Sequence, residues 1–269
     1  MPNFLVVVDF SAGALALLLT CLFCVLYFVH VRRRGAANDA RVASLGGSAV
    51  VSQGALDLLY WNVRVIAARL AGWGIGADQL TWTALVLGLG SGASAAAGML
   101  GLAGLLMMWS GICDMLDGLV ARALGTSSGA GEAFDSAVDR YCEEAIFIGL
   151  AFHYRGQPIV LIAVLLAAFG SGMVTLSTAK AEALGVKVRG ALMRRHERIG
   201  LIVFGTGISG MSIPVLENGG VAANLDGIPA IVCVGLVAVL SNVAAVQRYL
   251  RIVRAVRTQE REDPAIARG

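Results

Sequence analysis

Charge is scarce in this chain. Only 14% of its 269 residues are Asp, Glu, Lys or Arg, against about 25% in a soluble domain, which excludes an ordinary globular protein. Aromatics are few, at 7%. The net charge of +3 is too small to argue for a nucleic-acid partner. The five cysteines are odd in number and lie in apolar stretches. Cys21 and Cys24 form a CxxC spacing with no second pair, so they read as small apolar residues, not as a metal or disulfide site. No short-period repeat is visible. The first apolar run lacks a basic leader and a small-residue cleavage site, which favours an uncleaved anchor over a signal peptide.

What is present is apolar and small. Hydrophobic residues make up 57% of the chain, alongside 34 glycines. Closely packed transmembrane helices favour such residues at their contacts, so the fold class expected is an all-α polytopic integral membrane protein. A bilayer core of about 30 Å takes about 20 apolar residues in a helix. That window gives spans at 4–31, 79–99, 101–122, 131–153, 158–183, 198–216 and 228–250. Residues 88–98 (GLGSGASAAAG) carry several pairs of small residues four apart, which predicts a tight helix crossing. Residues 55–71 combine Leu, Tyr, Trp and Val with Asp57, Arg64 and Arg69, which suits a helix lying at the membrane interface. The layout expected is an anchor at 1–34, a linker at 35–54, an interfacial helix plus six-helix core at 55–257 and a polar tail at 258–269.

If Arg32, Arg33 and Arg34 lie in the cytoplasm, every Lys and Arg falls in or near the inner half except Arg155, in agreement with the positive-inside rule. The expected location is the cell's inner membrane with the polar site facing the cytoplasm.

That site centres on residues 113–140, which hold Asp114, Asp117, Asp135 and Asp139. Asp114, Asp117, Gly118, Ala121 and Arg122 fall on one helical face, and Gly131, Asp135 and Asp139 on another. A short loop joins the two helices, so they should be antiparallel neighbours whose carboxylates converge. Four carboxylates together repel one another unless compensated. Two divalent cations would cancel their charge, and oxygen-only ligands suit Mg²⁺, Mn²⁺ or Ca²⁺ rather than zinc. Gly118 and Gly131 leave room for a ligand near the backbone.

The pattern D-x2-D-G-x2-A-R-x8-G-x3-D-x3-D is met in full by these eight residues. In this the chain resembles the CDP-alcohol phosphatidyltransferase family, over about residues 55–255. The resemblance implies an enzyme of phospholipid biosynthesis that moves a phosphate-bearing group from a CDP-alcohol such as CDP-diacylglycerol to an acceptor hydroxyl and releases CMP. It implies that Asp114, Asp117, Asp135 and Asp139 bind two divalent cations, Mg or Mn. It also implies that Gly118, Ala121, Arg122 and Gly131, with Asp114 and Asp135, hold the cytidine diphosphate. Asp139 would be the general base, and a homodimer is implied.

The acceptor is read from the basic loop KAEALGVKVRGALMRRHERIG at 180–200 and from Arg248 in the last span. Arg195 or Arg198, with Arg248 and Lys180, would clamp an anionic acceptor. Topology and headgroup contacts are the plain alternative for these charges. The loop is most similar to that of bacterial phosphatidylinositol phosphate synthases, which points to inositol phosphate or inositol. That branch is more basic where this chain has Ser177, Thr178 and Ala179, and a phosphatidylglycerophosphate synthase or another CDP-alcohol phosphotransferase stays open. His196 reads either as a substrate contact or as an exposed residue. Glu143 continues the 135–139 face, beside the metals or in helix pairing. The rival from another class is an ion-coupled transporter using the aspartates as its binding site.

Overall fold

The computed structural model describes residues 3–34, 66–186, 192–218 and 227–262. The expected linker at 35–54, residues 55–65 of the interfacial segment, Lys187, Arg189 and the end of the tail lie outside the described residues. Among the described residues seven long helices follow one another: α1 (Asn3–Arg34), α2 (Ala77–Ala96), α3 (Leu100–Leu124), α4 (Gly129–His153), α5 (Pro158–Ala183), α6 (Arg195–Asn218) and α7 (Ile228–Glu262). A short helical stretch at 66–72 precedes α2. Among the described residues there is no strand, so the all-α expectation holds. By length and composition α1, α3, α5 and α7 are apolar enough to cross a membrane. The exterior of α5 and α7 is greasy: Ile159, Ile162, Leu165, Phe169, Val232 and Val239 are all exposed. A soluble protein would bury that much large apolar surface; a lipid-facing one need not. The chain is an integral membrane protein.

Local sequence sets the helix ends. Gly125 closes α3 with φ +68, and Thr126 N–H returns to Ala121 O at 2.9 Å, a left-handed glycine stop. Ser128 opens α4, its hydroxyl accepting from Gly131 N–H at 3.1 Å. Pro158 starts α5, where its missing N–H costs nothing.

The helix pairs form where side chains are smallest. α2 packs on both α3 and α4, presenting Thr81, Ala84, Gly88, Ser91, Gly92 and Ala95. At Gly92 an added Cβ would run into the Ala145 carbonyl of α4, so the crossing read from residues 88–98 depends on the missing side chain. Ser110 donates to Ala84 O at 2.8 Å and Ser91 to Ala103 O at 2.7 Å, tying α2 to α3. α3 and α4 touch each other sparsely. Instead of packing directly on each other, both lean on α2.

α1 is built into the bundle against α3 and α6. Asp9 is buried near the start of α1. Its Oδ1 accepts from Leu102 N–H at 2.8 Å, with Gly101 N–H as a second donor. Met99, which precedes α3, offers no capping side chain, so a carboxylate from another helix satisfies the orphan amides. Gly13 and Gly101 allow the approach: a Cβ on Gly13 would meet Gly207 O at 2.5 Å.

Candidate active site

The structure brings three aspartates of α3 and α4 together. Carboxylate oxygens of Asp114, Asp135 and Asp139 lie within 4.8 Å of one another. All three are half-buried. Asp117, the fourth of the motif, is buried one turn along α3 and accepts the Thr81 hydroxyl at 2.7 Å. The sequence reading missed Thr81; nothing distinguishes it from other helical threonines until α2 is seen to cross there.

The donor set fits a hard divalent cation. It is all oxygen, and Asp135 Oδ1 is buried with no hydrogen-bond partner among the described residues. A Cβ on Gly118 would meet the guanidinium of Arg122, at 3.3 Å, and one on Gly131 only Ser128 Oγ, at 3.3 Å. Protein packing therefore does not demand glycine at either place, and the space adjoins the carboxylates along both helices.

Arg195 reaches the cluster from the start of α6. Its Nη1 lies 2.9 Å from Asp114 Oδ2 and 2.6 Å from Asp139 Oδ1. Arg195 Nε is buried without a partner among the described residues. The backbone that delivers Arg195 is a tight turn in which Met193 has φ 57, an unusual conformation for a residue with a side chain. Three contacts hold it. Arg198 Nη1 donates to Met193 O at 2.7 Å, Arg248 Nη2 to Leu192 O at 2.9 Å, and Arg194 N–H to Glu197 Oε2 at 3.0 Å.

This corrects the expected role of Arg198. Read as an open clamp for an acceptor, it is instead 1% exposed and forks onto Glu143 at 2.8 and 3.0 Å. The Ser171 hydroxyl also donates to Glu143. The reason is Glu143 itself: a buried carboxylate on the aspartate face needs a countercharge, and Arg198 supplies it. Of the two readings open for Glu143, helix pairing is the one the geometry gives. Arg248 is mostly committed as well, with Nη1 donating to Thr178 Oγ1 at 2.8 Å, though its Nε is unpartnered among the described residues. Thr178 stands where a more basic stretch was expected. Lys180 and His196 are exposed. Arg122 and Ala121 lie on the last turns of α3. Cys21, Cys113, Cys142 and Cys233 are free thiols.

A model of the CDP-alcohol phosphatidyltransferase family matches residues 75–256, and the chain belongs to that family. The phosphatidylinositol phosphate synthase of Mycobacterium tuberculosis is 37% identical over 112 residues, covering 40% of this chain and 51% of the relative. The archaetidylinositol phosphate synthase of Methanothermobacter thermautotrophicus is 34% identical over 141 residues, 52% of this chain and 69% of the relative. The chain spans about half the length of the mycobacterial relatives it matches. The crystal structure of the M. tuberculosis phosphatidylinositol phosphate synthase in complex with manganese and citrate superposes with a TM-score of 0.61 at 25% identity, over 71% of this chain and 88% of that one. The same enzyme with CDP-DAG bound gives a TM-score of 0.59.

Proposed function

We propose that this protein transfers the phosphatidyl group of CDP-diacylglycerol to a hydroxyl of inositol phosphate or inositol, releasing CMP. The observation that carries the reading is the convergence of Asp114, Asp135 and Asp139, beside Gly118 and Gly131, where an added Cβ would meet only side-chain atoms. Asp114, Asp117, Asp135 and Asp139 would hold two divalent cations, Mg²⁺ or Mn²⁺, whose chemistry is to offset the pyrophosphate charge and ease departure of CMP. Thr81 fixes the Asp117 carboxylate through its hydrogen bond. Gly118, Ala121, Arg122 and Gly131, with Asp114 and Asp135, line the place of the cytidine diphosphate. Asp139 takes the proton from the attacking hydroxyl. That hydroxyl attacks the lipid-linked phosphorus, and the bond to the CMP oxygen breaks.

Arg195, with Arg248 Nε and the exposed Lys180, receives the acceptor's anionic group. Arg198 serves the site by holding the turn. The site faces the cytoplasm from the inner membrane, the acyl chains lie among the helices, and the working form is a homodimer. The likeness to enzymes that make phosphorylated inositol lipids supports the acceptor. Incubating the purified protein with CDP-diacylglycerol, Mn²⁺ and inositol phosphate, inositol, glycerol 3-phosphate or serine in turn tests it. A phosphorylated or free inositol lipid in the product mass spectrum is expected; a glycerophosphate or serine lipid instead would overturn the acceptor assignment.

A further inference from the structure

Arg195 occupies carboxylates that a divalent cation would need. Its Nη1 touches both Asp114 and Asp139, two of the three residues whose oxygens converge. A guanidinium and a divalent cation at these distances from the same half-buried carboxylates repel each other. The arrangement also leaves Asp135 Oδ1 and Arg195 Nε buried without partners among the described residues, which is costly to keep. The backbone cannot give way easily, because Arg198, Arg248 and Glu197 secure the 192–194 turn. The long, rotatable Arg195 side chain can.

We propose that Arg195 is an exchanging residue. It pairs with Asp114 and Asp139 while they lack cations, and swings to the acceptor's anionic group once cations are bound. Cation and donor loading then creates the acceptor site, so the acceptor binds second. An anionic acceptor is favoured over a neutral one because only the former holds Arg195 away from the carboxylates. The acceptor half of this inference rests on the proposed reaction, and the exchange rests on its cation site together with the Arg195 contacts.

The test reads Mn²⁺ binding to the purified full chain by the loss of the free-ion paramagnetic resonance signal, with inorganic phosphate as the anionic probe. Arg195→Gln is expected to bind Mn²⁺ at least about tenfold more tightly than the parent, since a positive charge leaves the cluster. Phosphate is expected to tighten Mn²⁺ binding in the parent and not in Arg195→Gln, because coupling between two ligands is reciprocal. Unchanged or weaker Mn²⁺ binding in Arg195→Gln overturns the exchange, and so does phosphate coupling equal to the parent's. If Arg195→Gln does not fold, Arg195→Lys carries the test: it keeps the charge without the fork, so weaker phosphate coupling supports the exchange and undiminished coupling overturns it. Normal CMP release with these binding results absent would sink the exchange alone. The binding results without CMP release from any acceptor would sink the proposed reaction alone.

Discussion

Glu143→Gln isolates the contact that holds the Arg195 turn in place. Arg198 and Glu143 expose 1% and 4% of their side chains, so neither charge is solvated. Glutamine can accept one of the two forked bonds, but its amide N–H then faces an N–H of Arg198. The guanidinium is left buried without a countercharge, a defect worth about 3–5 kcal/mol. Replacing both residues, as Glu143→Leu with Arg198→Met, removes the stranded charge and leaves chiefly the lost bond to Met193 O, about 1 kcal/mol. The assay is reversible unfolding in mixed detergent, comparing parent, single and double variants. The single variant should be the least stable of the three. A single variant as stable as the double would show that the pair is not the buried ion pair described, and the account of the turn would fall with it.

Other consequences concern the rest of the bundle. Asp9→Ala should lower stability by about 0.5–2 kcal/mol, the usual worth of a helix cap, read by the same unfolding assay; no change would mean that α1 does not cap α3. Gly92→Val should cost at least about 1–3 kcal/mol through overpacking of the α2–α4 crossing, seen as loss of folded protein on size exclusion. Thr81→Val should leave Asp117 one bond short, at about 1.5–3 kcal/mol, and weaken Mn²⁺ binding without abolishing folding. Chelation of divalent ions should stop CMP release, and added Mn²⁺ or Mg²⁺ should restore it; release that persists in excess chelator would contradict metal dependence.

The helices and the carboxylate cluster were readable in the sequence because each rests on a local period. Gly88 and Gly92 of α2 are four apart and the aspartates within each helix three or four apart, so both sets fall on helix faces whatever the tertiary fold. Contacts made across helices carry no such period. The sequence does place Asp9 alone in an apolar run, which marks it as unusual, but not that its partners are the first amides of α3. The motif places α3 and α4 side by side, yet α2 is the element that packs on both, and nothing in the loop length says so. Arg195 and Arg198 stand three apart with the same chemistry. Only the burial of Glu143 separates the one that reaches the aspartates from the one that locks the turn.

The most direct test is CMP release from CDP-diacylglycerol by the purified protein, with and without Mn²⁺, in the parent and in Asp139→Asn, using the acceptor that yields product. Metal-dependent release by the parent is expected, with a fall of about 10²–10⁴-fold in Asp139→Asn, the usual worth of a general base, in protein that is still folded. Release of CMP by Asp139→Asn at the parent's rate would contradict that role.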